Sequence, residues 1–210
     1  MISSEEDALT FVGEHHSDAV QRKLASFVTA LQTENKKQNL VSAQSLNSVW
    51  QRHIVDSLQL ARFVPRETLG PWIDLGTGAG LPGLVMAIAR EDAEIILVES
   101  RAKRIEWLKG QIASLNLPNC VVRGARLETL DPIPVSVISA RAFAPLTKLV
   151  RLAARFSTPD TIWLLPKGRS AAQEVAELPP RLRSLFHVEQ SVTDPDAGII
   201  VGKGLEAKAI

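Results

Sequence analysis

The segment Asp74-Leu-Gly-Thr-Gly-Ala-Gly-Leu-Pro-Gly83 holds the residues best placed to do chemistry. It follows a short apolar run, Trp72–Leu75, and precedes a helical pattern over Leu81–Arg90. Glycines at such a junction let the backbone turn sharply and come close to a ligand. Pro82 suits the first turn of a helix, where a backbone N–H is not needed. In an α/β sheet the carboxyl ends of the strands are where ligands settle. Two ligand classes fit. Read from Gly78, the segment satisfies GxGxxG, the dinucleotide pattern. Read from Asp74, it is D-x-G-x-G-x-G, with a carboxylate at the strand tip. That anion disfavours a pyrophosphate and suits a cationic ligand such as the sulfonium and ammonium of S-adenosylmethionine. On this second reading Asp74, Gly76, Thr77 and Gly78 line the site. A purely structural turn is the plain alternative.

Glu99 ends the next apolar run, Ile95–Val98. A carboxylate there can accept both hydroxyl hydrogens of a ribose. Both cofactors contain ribose, so Glu99 points to a nucleoside without choosing between them; an ordinary surface Glu is the alternative. After the third run, Cys120–Val122, comes Gly124-Ala-Arg-Leu-Glu128. This loop can flank an adenine, with Leu127 on the ring and Glu128 or a backbone group at its edge. Arg141 follows the fourth run, Val135–Ile138, and Lys167 follows the fifth, Thr161–Leu165. Between them Lys148, Arg151 and Arg155 recur at i, i+3 and i+7, one helical face, with Leu146, Leu149, Leu152 and Phe156 on the other. A row of fixed cations beside the crevice matches the phosphates of RNA or DNA, and a solvated charged face is the alternative.

The elements that must position these residues are legible in the spacing. Residues 1–70 read as helices: Ser3-x-x-Glu6 is a capping-box pattern, Val20, Leu24, Phe27 and Leu31 form one stripe, and Val49, Trp50, His53, Ile54, Ser57, Leu58 and Ala61 form another. A turn-rich stretch, Pro65 to Pro71, closes this part. From Trp72 short apolar runs alternate with helical stretches at Leu81–Arg90, Arg101–Leu115 and Leu146–Phe156, the signature of a parallel α/β sheet covered by helices. Phe186–Thr193, the turn Asp194–Gly198 and Ile199–Val201 read as a C-terminal antiparallel hairpin. The expected organisation is a helical N-terminal extension, 1–70, and an α/β domain, 71–210, forming one compact unit.

Composition narrows the class. The chain has 210 residues, 45% hydrophobic and 22% charged, a soluble globular profile. Cys120 is its sole cysteine, so neither an internal disulfide nor a Cys-rich zinc site is possible. His15, His16, His53 and His187 show no metal-ligand spacing, and no metal is expected. No apolar run approaches the ~18 residues of a membrane span, and the acidic start lacks the basic region of a signal peptide. A cytoplasmic protein without membrane contact is expected. Net charge is +1, yet Ser100–Ser170 holds 12 Lys/Arg against 4 Asp/Glu, a local surplus that suits a polyanion. Few aromatics argue against base stacking as the main mode of contact.

Taken together, these residues resemble the RsmG family, formerly glucose-inhibited division protein B. The resemblance runs from about Ser17 to Gly204. It is carried by Asn39-Leu40, Arg52-His-Ile-Val-Asp-Ser57, Asp74–Gly83, Ala140-Arg-Ala-Phe143 and Pro166-Lys-Gly168. Ala79 stands where many members have Pro, and Glu99 where some have Asp. The resemblance implies a class I S-adenosylmethionine-dependent methyltransferase fold, a Rossmann-like, mostly parallel sheet with a helical N-terminal extension. It implies that Gly76, Leu81, Leu127, Glu128 and Arg141 contact S-adenosylmethionine and, by analogy with the superfamily, that Glu99 holds its ribose. It further implies methylation of guanine N7 at position 527, in the 530 loop of 16S ribosomal RNA. The RNA would be met within the 30S subunit or its precursor, and S-adenosylhomocysteine released. N7 has a free lone pair and no proton to lose, so positioning can carry the reaction without a general base. Arg141 and Lys167 are then orienting groups, directed to O6 or phosphate rather than N7. Lys148, Arg151, Arg155 and Lys167 are the expected RNA contacts, and a monomer is expected. His53 and Asp56 are left as either packing groups or walls of the site. A nicotinamide-dependent oxidoreductase and a non-catalytic RNA-binding module are the competing classes.

Overall fold

A computed structural model describes residues 1–68 and 70–205; Leu69 and residues 206–210, the end of the segment 71–210, lie outside the described residues. Each apolar run from Trp72 onward becomes a strand: β1 Trp72–Leu75, β2 Ile95–Glu99, β3 Cys120–Gly124, β4 Val137–Ser139, β5 Ile162–Lys167, β6 Phe186–Gln190 and β7 Gly198–Lys203. They form one sheet in the order β3-β2-β1-β4-β5-β7-β6. The first five run parallel, and β7 is antiparallel to both β5 and β6. This is the expected mostly parallel α/β sheet ending in an antiparallel hairpin. The fourth strand starts two residues later than its apolar run, because Val135 donates its N–H to the Phe156 carbonyl, 3.0 Å away, and not to a neighbouring strand.

Every residue of β1 and β2 is buried, as expected when helices cover both faces of a parallel sheet. Alternate side chains feed two cores. On one face Trp72, Ile95 and Leu97 pack with helix α2 (Asp18–Glu34), α5 (Gly83–Ala89) and α6 (Ala102–Ser114). On the other, Ile73, Ile96 and Ile138 pack with α7 (Leu146–Ala153) and with Trp163 and Phe186.

The anticipated stripe of α2 is the buried one: Val20, Leu24, Phe27 and Leu31. Helix α1 (Glu5–His15) is capped one residue later than the Ser3/Glu6 pattern suggests. Ser4 Oγ accepts the Asp7 N–H at 3.0 Å and Asp7 returns a bond to the Ser4 N–H at 3.1 Å. The second stripe is not a regular helix. After α3 (Ala43–Leu46) it runs as a wide π-turn, Trp50–Val55, then α4 (Asp56–Leu58), then a 3₁₀ turn, Gln59–Phe63. Glu5 caps its start by accepting the Trp50 and Gln51 N–H groups at 3.1 and 2.8 Å. Two short helices between β5 and β6, α8 (Ala171–Ala176) and α9 (Pro180–Arg183), have too few turns to show a periodic signal. No helix among the described residues is long and apolar enough to cross a membrane.

Candidate active site

The strand order reverses at β1, which has β2 on one side and β4 on the other. That makes its carboxyl end the switch point where α/β sheets receive ligands. The glycine segment leaves β1 at this point. Gly76 has φ +64°, and a Cβ there would lie 2.4 Å from Phe143 Cδ2. Gly83 is equally constrained: a Cβ would lie 2.3 Å from Leu97 Cδ2 and 2.8 Å from Asp74 Oδ2. Thr77 is buried. It ties the loop through its backbone, donating to Val98 O at 3.1 Å and accepting from the Gly80 and Leu81 N–H groups at 2.9 and 3.1 Å. Leu81 is buried at the loop's exit. From α6, Trp107 Nε1 donates to Ala79 O at 3.0 Å.

Asp74 is fully buried. Oδ2 accepts the Gly83 N–H at 3.0 Å, and Oδ1 accepts the Ser139 hydroxyl at 2.7 Å. Ser139 in turn accepts from Trp72 Nε1 at 2.9 Å. Burial pushes the Asp74 carboxyl up to about 6 against the pull of these hydrogen bonds and of Arg141. The sequence suggests a carboxylate presented to a cationic ligand. The structure corrects that: Asp74 sits behind the loop and braces it, because the helix entrance at Gly83 and the tip of β4 both turn donors toward it.

Glu99 lies at the tip of β2 beside the loop. Oε2 accepts the Gly78 N–H at 3.2 Å, with Arg104 Nη1 at 3.7 Å. Oε1 accepts the Ser100 and Arg101 N–H groups at 2.7 and 2.9 Å. Arg104 escapes a reading by motif; its one sequence signal is a cation in the first turn of the helix after Glu99. Across the sheet Glu99 pairs in register with Gly124. Leu127 and Glu128 follow in a 3₁₀ turn, Leu127–Thr129, with Leu127 buried and Glu128 exposed.

Past the tip of β4 opens a cleft of about 470 Å³, lined among others by Arg52, His53, Asp56, Arg141, Ala142 and Lys167. Ala142 has φ +52°, an uncommon conformation for a residue with a Cβ. The turn sends Arg141 toward the π-turn, while Phe143 lies on Gly76. Arg141 Nη1 is 3.1 Å from His53 Nδ1 and 3.6 Å from Asp56 Oδ2. A guanidinium can only donate, so Nδ1 is the acceptor, which assigns the ring proton to Nε2, 2.9 Å from Ser45 Oγ. Burial, with Arg141 and Arg52 nearby, holds His53 down to about 3, so it is neutral. Burial raises the Asp56 carboxyl, and Arg141 opposes that rise. Asp56 Oδ1 accepts from Thr193 Oγ1 and from Gln59 Nε2, each at 2.9 Å, and Arg52 pairs with Asp194 at 2.7 Å. The π-turn is thereby fastened to the segment before β7. His53 and Asp56, open on sequence grounds, are the partners of Arg141 on the cleft wall.

Residues 20–198 match the family described as rRNA small subunit methyltransferase G, GidB. The chain belongs to this family. It is 55% identical over 204 residues to ribosomal RNA small subunit methyltransferase G of Erythrobacter litoralis, covering 97% of this chain and 98% of that one. It is 53% identical to the protein of the same name from Novosphingobium aromaticivorans, covering 92% and 85%. A solved SAM-dependent methyltransferase from Aquifex aeolicus superposes with a TM-score of 0.55 at 14% identity, over 81% of this chain and 97% of that one. The fold is the class I methyltransferase fold. The oxidoreductase that GxGxxG spacing also admits belongs to a different class from this family.

In this family member the anticipated row of RNA-facing cations divides. Lys148 and Arg151 are exposed on α7. Lys167 turns inward: Nζ donates to Glu174 Oε2 at 2.8 Å and to Ala144 O at 2.9 Å. Glu174 Oε2 also accepts the Leu146 N–H at 2.8 Å, so one carboxylate ties the loop after β4 to the tip of β5. Glu174 has no motif to mark it. Arg155 departs from the expectation as well. Its Nη2 donates to the carbonyls of Leu127, at 2.7 Å, and Leu130. The i, i+7 argument places it with Lys148, but the last turn of α7 continues as a 3₁₀ turn, Ala154–Phe156. Arg155 lies in that 3₁₀ turn, from which its long side chain reaches the two carbonyls. Among the described residues no group of three or more His, Cys, Asp and Glu could hold a metal ion.

Proposed function

We propose that the chain transfers the methyl group of S-adenosylmethionine to N7 of the guanine at position 527, in the 530 loop of 16S ribosomal RNA, and releases S-adenosylhomocysteine. Family membership supports the reaction class. One observation of geometry supports a meeting of cofactor and base: the glycine loop and the basic cleft share a wall. Phe143 rests on Gly76, while Arg141 and Ala142, two residues and one residue before it, line the cleft. Cofactor and base would meet across that wall.

The residues fit the cofactor. A Cβ at Gly78 would meet nothing nearer than Arg104 Nη1 at 3.5 Å, so the bare glycine leaves an open backbone cradle. Beside it Glu99 offers a carboxylate, the acceptor that ribose hydroxyls require. When bound, S-adenosylmethionine supplies an electrophilic methyl on a sulfonium. Gly76, Thr77, Gly78 and Leu81 would hold it by the loop backbone, Glu99 would accept from the ribose, and Leu127 and Glu128 would flank the adenine. Asp74 would act one step back, fixing the loop through Gly83.

Guanine N7 attacks with its own lone pair, so the chain needs to move no proton. His53 agrees with this: it is neutral, and its Nδ1 is already an acceptor for Arg141. Its role is to hold Arg141, which would orient the base through O6 or a phosphate, leaving N7 free, while Lys167, tied to Glu174 and Ala144, would fix the segment after β4 that carries Arg141. Catalysis then rests on near-attack positioning. Lys148 and Arg151 would contact the RNA backbone. We read residues 1–70 and 71–210 as one compact unit whose helical part walls the cleft. It would act as a monomer, without a metal, on the 30S subunit or its precursor in the cytoplasm.

The test is transfer of a labelled methyl to 30S subunits lacking the mark, followed by mapping of the modified nucleotide. Label at the 530-loop guanine is the expected result. Label elsewhere overturns the site assignment, and no label on any 16S-containing substrate overturns the reaction. A non-catalytic RNA-binding module would bind the RNA without taking up S-adenosylhomocysteine.

A further inference from the structure

We infer that Arg155 is a positioning residue for the adenine end of the cofactor site, acting through the turn Leu127–Thr129. The inference deepens the proposed function and rests on it. Arg155 is half-buried at the end of α7. Its Nη2 donates to Leu127 O and to Leu130 O, the two carbonyls that bracket Glu128 and Thr129. One permanently charged group thus binds the first residue of the turn and the residue that follows it. Charge-assisted hydrogen bonds of this kind are the stronger ones.

Apart from Arg155 the turn is held by the packing of Leu127 and Leu130 on the core and by local hydrogen bonds. Thr129 binds back to Arg126 O through its N–H at 3.0 Å and its hydroxyl at 2.9 Å, and Leu130 N–H reaches Leu127 O at 3.3 Å. These bonds are local and set the shape of the turn, not its place. Leu127 anchors one side in the core, while Glu128 is exposed. The bonds from Arg155 cross 28 and 25 residues of chain and tie the turn to the helix that follows the Ala140–Phe143 wall. The guanidinium also stacks over Phe156, 5.1 Å from the ring centroid. The position of Leu127 and Glu128 against the adenine is therefore set from α7, the element that also follows Arg141. Arg155 touches neither cofactor nor RNA in this scheme.

The test is isothermal titration of S-adenosylhomocysteine into wild-type protein, Arg155→Lys and Arg155→Met, with methyl transfer to 30S subunits measured alongside. Lysine keeps the charge, but its nitrogen lies one bond nearer the backbone than Nη2 and it lacks the flat guanidinium that stacks on Phe156. The expected result is a Kd raised about tenfold in Arg155→Lys and more in Arg155→Met, with KM for S-adenosylmethionine raised in parallel and kcat at saturation within about twofold. The slope of RNA affinity against salt should not change, since no phosphate contact is lost. Wild-type Kd values in Arg155→Lys overturn the inference, even if its melting temperature falls, because a merely structural arginine would lower stability alone. A shallower salt slope also overturns it, by making Arg155 an RNA contact. Should Arg155→Met fail to fold, Arg155→Lys decides. Failure of the wild-type protein to bind S-adenosylhomocysteine instead removes the proposed function itself.

Discussion

His53 Nδ1 accepts a hydrogen bond from Arg141 Nη1 at 3.1 Å, so the imidazole on the cleft wall is committed to holding a cation. Burial and the two neighbouring arginines keep its pKa near 3. Turnover should therefore show no titration of His53, and kcat should stay flat between about pH 6 and pH 8, where an active-site base would ordinarily titrate. Stability follows from the same depression. The folded value is about 3 against an ordinary 6.5, so the unfolded chain takes up the proton first. The contribution of His53 is complete above that ordinary value and is lost as pH falls from there toward 3. His53→Gln retains an acceptor for Arg141 and should keep most of the turnover while losing this acid-side decline. Urea titrations across the pH range would show it. A sigmoidal kcat profile that vanishes in His53→Gln would contradict the arrangement.

Asp74 should behave with the opposite sign. Its folded pKa of about 6 exceeds the ordinary 3.8, so the folded state binds the proton first. Its contribution is greatest below the ordinary value and is lost as pH rises to about 6, at up to about 1.4 kcal/mol per pH unit for one proton. Asp74→Asn removes the titration, so the stability of the variant relative to wild type should improve over that interval and level off above it. Asp74→Ala leaves the Gly83 N–H and the Ser139 hydroxyl without their acceptor, at a cost of about 1–3 kcal/mol for each buried group. It should also weaken S-adenosylhomocysteine binding by loosening the loop. Unchanged binding in a folded Asp74→Ala would deny the bracing role.

Gly76 and Phe143 should be energetically linked. A methyl at residue 76 meets the Phe143 ring at 2.4 Å and must also hold φ +64°. The left-handed conformation alone costs about 1–2 kcal/mol in a residue with a Cβ. Gly76→Ala should therefore lower both stability and cofactor affinity. Adding Phe143→Ala relieves the steric part but not the backbone part, so the double variant should recover some of the stability lost in Gly76→Ala. Strict additivity in the four-variant cycle would show that the ring and the glycine do not share space.

How much of this was legible in the sequence depends on distance along the chain. The glycine segment, the strand–helix alternation and the hairpin are signals carried by neighbouring residues, and the structure has these elements within a few residues of where the spacing predicts. The place of Glu99 was legible, since it ends a strand adjacent to β1. At the site, what the sequence leaves undecided is contacts that it does not encode locally. Asp74 reads as a free carboxylate until Ser139, 65 residues on, supplies its second donor. Arg155 reads as a surface cation until the 3₁₀ turn and the carbonyls 28 and 25 residues back are in place. Lys167 reads as an RNA contact until Glu174 is folded against it. His53 and Asp56 were visible as a motif, but their purpose required Arg141 to arrive from 88 residues away. A charged residue shows its type in the sequence, while its partner is decided by topology.

The division among the cations leads to the last prediction. Lys148 and Arg151 are exposed on α7, whereas Lys167 is spent on Glu174 and Ala144. If the first two meet phosphates, neutralising both as Lys148→Gln/Arg151→Gln should flatten the dependence of log K on log salt by about 1.4 to 1.8, the release of two counterions. Methylation at saturating RNA should be little changed. Glu174→Gln should do the reverse. It weakens the hold on Lys167 and on the Leu146 N–H, loosening the segment that carries Arg141, so kcat should fall by about tenfold or more with the salt slope intact. Filter-binding titrations at several salt concentrations, paired with single-turnover methyl transfer, separate the two effects. A flatter slope in Glu174→Gln would mean that Lys167, displaced by the substitution, had been meeting a phosphate, and would return it to the RNA-facing cations beside those of α7.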